Sequence, residues 1–450
     1  MMEFIKLDEI DDLSNRKLNK LYKNYFSDSL YKIFKLSGFD NHFVKAKGMK
    51  VLDDCDHEFL DFSGGYGTLN IGHNNERVLN AVNEFRDYPN ILQQSINVFN
   101  GLLSNNLCCL TNENFSHFHF TSTGAETVEE ALKTAMMVNK EGAIVYFSKA
   151  YHGKTLGAIS CLGNKIKNNY NILEDNFIQC PFNDFEELHC IVEENDVSAI
   201  LIEPIQGEGG INLPKDNFLQ KVRYLCDENE ILLIFDEIQT GLGRCGSMFC
   251  YELYNVIPDM LCLSKSLSGG IIPIGCLAIK QELWERTYGK LKNATLLSST
   301  FGGNTFASVA AIETLSIIME ERLPERAFEL GEYTLKKLQG LQEKHKLIKE
   351  VRGKGLFIGI EFNLSLLSYG TTAEVLMSTI LGEMLHKYGI ICGFTENNPA
   401  VLRVEPPLIV EKHHIDYFVH CLDKVLEKNS HICKLAKSAL CGIVKNSLKI

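Results

Sequence analysis

With 450 residues, the chain exceeds what one compact core ordinarily organises and reads as two or more packed domains. At 45% hydrophobic and 23% charged residues it has the balance of a soluble globular protein. A formal charge of −12, with Lys and Arg scattered along the chain, argues against a nucleic-acid partner and against an anionic membrane surface.

The opening "MMEFIKLDEIDDLSNRKLNK" mixes acids and bases without the apolar centre of a secretory signal, and no apolar run approaches a membrane span in length. A cytoplasmic protein is expected. Residues 1–75 are read as an N-terminal arm and part of a small domain: up to about residue 40 the pattern is charged and weakly periodic, and "GMKVLDDCDHEFLDFSGG" then predicts a hairpin entering a glycine-rich loop.

From residue 76 to 310 short apolar runs alternate with amphipathic segments. The runs "FHFT", "AIVYF", "AILIE", "ILLIFDE" and "MLCLS" predict buried strands, and "ETVEEALKTAMM" predicts a helix with Val128, Ala131, Leu132, Ala135 and Met136 on one stripe. Buried strands alternating with helices define an α/β class, a mainly parallel sheet covered on both faces. Residues 311–450 follow as a smaller α+β domain containing "VRGKGLFIGIEF" and "AVLRVEPPLIV", ending in a basic tail, "NSHICKLAKSALCGIVKNSLKI". The 15 cysteines show no C-x-x-C spacing, so no metal site is expected; Cys262 and Cys276, inside apolar runs, read as buried small apolar residues, and the Cys108-Cys109 pair as structural.

In open α/β sheets, reactive groups gather beyond the carboxyl ends of the strands. After "FHFT" come Thr123, Gly124, Ala125 and Glu126, a capping box at a helix start suited to an anion, although capping alone explains it too. After "AIVYF" come Tyr151 and His152 before Gly153, where a flat ring can cover a planar ligand or simply pack. Glu208 sits in the glycine-rich loop after "AILIE"; Asp236 and Glu237 end "ILLIF", followed by Gln239; and Lys265 ends the next run. A carboxylate at the end of a buried strand requires a partner, which a structural salt bridge also supplies. A partly desolvated lysine is a nucleophile toward carbonyls. Together these groups match the needs of pyridoxal 5′-phosphate: a Schiff-base lysine, an acid for the pyridine nitrogen, a stacking ring and an anion cradle.

In order along the chain, "GHNNERV", "STGAETVEEALK", "YHGKTLGAIS", "IEPIQGEGG", "FDEIQTGLGRCG", "PDMLCLSKSLSGG", "STFGGN", "VRGKGL" and "LRVEPPL" resemble the class III pyridoxal-phosphate aminotransferases, the ornithine, acetylornithine, 4-aminobutyrate and putrescine group, over about residues 40 to 425. The blocks look most like those of bacterial putrescine aminotransferases. The resemblance implies a fold-type I transferase with a seven-stranded sheet. It implies that Lys265 holds the cofactor and shuttles the proton, Asp236 pairs with the ring nitrogen, Gln239 with the ring hydroxyl, Tyr151 stacks on the ring with His152 beside it, and Gly124 and Ala125 meet the phosphate. Thr300 would reach the phosphate of the neighbouring subunit of a homodimer. Glu208 and Arg403 would form a switch pair that admits both an amine and a dicarboxylate.

Two positions depart from the family pattern. Lys154 stands where many ornithine and acetylornithine members have an arginine for a substrate carboxylate, as in the putrescine-type members. Thr305 replaces the usual proline after the asparagine, which alters a turn but no chemical group. The implied reaction moves a terminal amino group from a diamine or ω-amino donor to 2-oxoglutarate or pyruvate. Alternatives are a biosynthetic transaminase aminating an aldehyde or ketone, an acetylornithine, ornithine or 4-aminobutyrate aminotransferase, and an inactive scaffold. A nucleotide-binding oxidoreductase lacks its G-x-G-x-x-G between strand and helix.

Overall fold

The structure is a computed structural model that describes residues 4–92, 94–163, 165–172, 176–366 and 372–428. The basic tail lies outside the described residues. Three sheets organise the chain. The strands of the first part are β1 (Phe43–Lys47), β2 (Lys50–Asp53) and β3 (Glu58–Asp61). The large sheet uses β4 (His117–Thr121), β5 (Ala143–Phe147), β6 (Phe177–Cys180), β7 (Val197–Ile202), β8 (Leu232–Asp236), β9 (Met260–Leu263) and β10 (Gly275–Ile279). The last part adds β11 (Ile348–Lys354), β12 (Phe357–Phe362), β13 (Ile390–Ile391), β14 (Gly393–Phe394) and β15 (Val401–Val404).

The seven-stranded sheet has the order β4-β10-β9-β8-β7-β5-β6. Its pairs from β9 through β6 are parallel, and β10 runs antiparallel to both neighbours. All five apolar runs are strands. The sequence reading did not pick out β6 and β10: "FIQC" exposes Gln179, and "GCLAI" follows a Gly- and Pro-rich stretch that reads as loop.

Successive residues of each central strand enter opposite cores, because side chains alternate across a strand. Val145, Ile200, Leu233, Leu261 and Ala278 join one cluster, and Ile144, Leu201, Ile234, Cys262 and Ile279 the other. Helix Gly124–Val138 covers the second face with the predicted stripe of Val128, Ala131, Leu132 and Ala135. Cys262 and Cys276 are buried as expected, but Cys55, Cys109 and Cys190 are exposed. Cys109 sits near the end of helix Val98–Leu110, whose inner face is taken by Phe99, Leu103 and Leu107.

The predicted hairpin is present: β2 pairs antiparallel with β3, and β1 extends it. The parallel pairing of β3 with β13 ties this early segment to the last part of the chain. There a second antiparallel sheet, β11-β12-β15-β14, carries Arg403 to the loop that follows β7 of the large sheet. Among the described residues, no helix is long and apolar enough to cross a membrane.

Candidate active site

The carboxyl ends of β5, β7, β8 and β9 meet the start of helix Gly124–Val138 around a cavity of about 240 Å3. Thr123 Oγ1 accepts from Glu126 N at 3.2 Å and so caps the helix, while Glu126 Oε2 accepts from Ser122 N at 2.7 Å, one residue before the N-cap N–H that a capping box would use. The helix itself leaves the N–H groups of its first residues, Gly124 and Ala125, without intrahelical acceptors, at the positive end of its dipole. Close approach here depends on glycine. A Cβ on Gly124 would lie 2.9 Å from Ile238 Cδ1, and one on Gly153, at φ +124°, 2.6 Å from Ala125 Cβ.

Asp236 ends β8 almost fully buried. Its Oδ2 meets His152 Nδ1 at 2.7 Å, and its Oδ1 accepts from Ile238 N at 3.0 Å. Burial works against a charged His152 ring, but the hydrogen bond and charge of Asp236 outweigh it and hold the His152 pKa above its ordinary value. The alternation of the strand sends the next residue elsewhere: Glu237 accepts from the backbone N–H groups of Cys250 and Tyr251 at 2.5 and 2.6 Å, a structural role. Glu203, at the end of β7, accepts from Tyr151 N and Gly207 N at 2.9 Å each and so binds two site loops together. Burial pushes its pKa up to about 7.

Lys265 follows β9 with φ +41°, a left-handed conformation that a lysine adopts at a cost. The turn continues through Gly269 and Gly270, both at positive φ, where a Cβ would run into Ile71 and Leu69. Lys265 lines the cavity. Desolvation lowers its pKa, opposed by the charges of Glu405, Glu208 and Asp236.

On the opposite side, Arg403 on β15 is fully buried and donates to Glu208 Oε1 at 2.6 Å. Glu208 also accepts from Glu396 N at 2.8 Å. Burial alone would raise the Glu208 pKa, yet Arg403 holds it below the ordinary carboxylate value. The Arg403 guanidinium lies 5.0 Å from the centre of the Tyr66 ring. Lys154, at the rim, pairs with Glu396 at 3.1 Å and lies 5.6 Å from the centre of the Tyr151 ring.

Of the residues singled out from sequence, Gly124, Ala125, Tyr151, His152, Lys154, Asp236, Gln239 and Lys265 all line the one cavity. Glu208 and Arg403 form their pair beside it. Thr300 does not line it and sits on an exposed segment before helix Thr305–Glu320. Sequence reasoning passed over three contributors. Glu405 and Tyr66 surround Arg403, and Arg244, fully buried, donates to Leu356 O, Pro406 O and Asn70 Oδ1. A charged residue inside "LRVEPPL", two positions after the arginine, was the available signal for Glu405.

The residues present fit pyridoxal 5′-phosphate. The lining supplies an amine, a carboxylate, an amide and helix-start N–H groups, and His152 Nε2 is buried without a hydrogen-bond partner among the described residues. The glycines at 124 and 153 let this wall pack closely, since a Cβ on either would collide with Ile238 or Ala125.

The family model described as aminotransferase class-III matches residues 38–426. The aminotransferase PigE of a Serratia species is 33% identical over 91% of this chain, which spans about half (53%) of that protein's length. The putrescine aminotransferase of Pectobacterium atrosepticum is 37% identical over 85% of this chain and 82% of its own. The crystal structure of ornithine aminotransferase from Toxoplasma gondii superposes with a TM-score of 0.83 at 27% identity, covering 94% of this chain and 99% of that one.

Proposed function

This chain belongs to the class III aminotransferase family, and we propose that it moves the terminal amino group of a diamine or other ω-amino donor to a 2-oxo acid, 2-oxoglutarate or pyruvate. The donor leaves as an aldehyde before the acceptor enters, so one site must serve an amine and an anion in turn. The observation that carries this reading is the buried Arg403–Glu208 pair at 2.6 Å beside Lys265. Closed, the pair presents little net charge to an amine; opened, it releases a planar guanidinium that engages a carboxylate through two hydrogen bonds. At the rim Lys154 is already paired with Glu396, which supports a donor without an α-carboxylate. The resemblance to a putrescine aminotransferase supports the same donor class.

When bound, pyridoxal phosphate supplies an electron-withdrawing ring that stores the amino nitrogen between the two halves of the reaction. In this reading Lys265 holds the cofactor, and its Nζ takes the proton from the donor carbon and later returns one to the acceptor. Asp236 keeps the ring nitrogen protonated, and His152 holds Asp236 in place through Nδ1. Tyr151 covers the ring, Gln239 faces the ring hydroxyl, and Gly124 and Ala125 offer N–H groups to the phosphate. Thr300 serves the neighbouring subunit of a homodimer. Supporting that assembly, Ile91, Leu92, Ile96, Val98, Leu296 and Phe301 are exposed apolar residues on segments joined by hydrogen bonds from Asn97 to Gly303 and from Thr305 to Asn90. The free thiols of all described cysteines suit a cytoplasmic location.

The test is a panel of putrescine, longer diamines, 4-aminobutyrate and ornithine, each mixed with holoenzyme and read as the change in the visible cofactor band, then as its recovery on adding either oxo acid. Diamines are expected to convert the band fastest. A band that responds to no amine, or to α-amino acids alone, would sink the reading.

A further inference from the structure

The roles above leave Glu405 without a task, although it is fully buried just beyond β15. Three groups converge on its carboxylate. Gln239 Nε2 lies 3.1 Å from Oε2 and 3.3 Å from Oε1, Arg403 Nη1 lies 3.5 Å from Oε2, and Arg244 Nε lies 3.9 Å from Oε1. The loop that wraps it is built for contact: a Cβ on Gly67, at φ +82°, would sit 2.5 Å from Oε1. The charged groups facing it are Arg403 from its own strand, Arg244 from the turn after β8, Lys265 after β9 and Glu208 from the loop after β7.

A carboxylate can only accept, so the NH2 of Gln239, not its carbonyl oxygen, must face Glu405. Nε2 also donates to Tyr66 O at 3.4 Å, so its two N–H groups are directed at Glu405 and Tyr66 and the amide plane is set. Arg403 likewise finds in Glu405 a second acceptor after Glu208. An unpaired buried charge at either place would be costly, so each group holds the others.

We propose that Glu405 is a positioning residue that orients the Gln239 amide toward the cofactor's ring hydroxyl and supplies Arg403 with a second counter-charge, joining the cofactor side and the substrate side in one buried network. The proposal rests on the pyridoxal-phosphate reading of the cavity.

Glu405→Gln keeps the shape and removes the charge. In holoenzyme without substrate, the pH midpoint of the visible band is expected to fall by about one unit or more, because a negative charge facing the Lys265 nitrogen favours its protonated form. Glutarate, a dicarboxylate with no oxo group to react, is expected to bind the variant several-fold more tightly, since Arg403 is then restrained by Glu208 alone. A role confined to packing would lower thermal stability and cofactor loading while leaving the midpoint and the glutarate affinity of loaded protein at wild-type values; that result overturns the proposal. Should Glu405→Gln fail to fold, Glu405→Thr removes the same charge and is judged by the same two measurements. Wild-type protein that shows no visible band with pyridoxal phosphate would overturn the cofactor reading and the proposal together, whereas a normal wild-type band with an unresponsive variant overturns the proposal alone.

Discussion

The cofactor side and the substrate side of the cavity are built differently. On the cofactor side, Asp236 and Lys265 end adjacent parallel strands, with Asp236 in register with Cys262, so one sheet sets their separation. On the substrate side of the proposed reading, Glu208, in the loop after β7, and Arg403, on β15 of another sheet, are 195 positions apart, and Gln239 and Glu405 are 166 apart. A strand end inside a close-packed sheet has one arrangement. An ion pair between two elements has two, paired or competed away by a ligand. In the proposed reading, the difference puts the fixed chemistry on one sheet and the adjustable recognition between two separate parts of the fold.

The largest expected effect probes the shared half of that contrast. Lys265→Ala is expected to slow both half-reactions by roughly 10³-fold or more, removing the proton carrier, while circular dichroism stays native. Turnover near the wild-type rate would take Lys265 out of the mechanism. Arg403→Ala is expected to split the two halves. It should reduce kcat/KM for 2-oxoglutarate by roughly 10²-fold, the cost of losing a desolvated charge partner, and change the amine half-reaction far less. Equal losses in both halves would show that Arg403 supports the site instead of reading the acceptor.

The smallest effect concerns Glu203, which ties the loops of the two sides. Its pKa is raised to about 7 in the folded chain, so the unfolded chain gives up this proton at lower pH. The folded state then binds more protons than the unfolded one between the ordinary carboxylate value and about 7, and stability from this group falls as pH rises through that window. Between pH 6 and 7 its share of the loss is about 1 kcal/mol. Glu203→Gln should start less stable, since one of its two accepting oxygens is gone, yet lose less over that interval in denaturant titrations. Parallel curves for the two proteins would remove Glu203 as the source.

Much of the cofactor side was legible in the chain because local pattern carries it. Apolar runs of four to six residues locate strands, and the polar residue after each run locates the site. Lys265, Asp236 and the Thr123 cap of the helix start were all reached in this way. Glu237 shows the limit of that reasoning: it follows the same run as Asp236, but strand alternation turns it toward Cys250 and Tyr251. β10 was missed because its pairing is antiparallel and its entry is Gly- and Pro-rich.

What the sequence determined by itself was the α/β class, the ends of the central strands and the identity of the groups that wait there, since these depend on residues near one another in the chain. Only the tertiary structure decided that Glu405 stands between Gln239 and Arg403, that Arg244 is enclosed beneath it, and that Glu203 holds two loops at once. Those contacts join segments up to 174 positions apart, and no local periodicity encodes which buried charge will meet which. The physical reason is desolvation: a charge placed in a core must find its partner wherever the fold brings one.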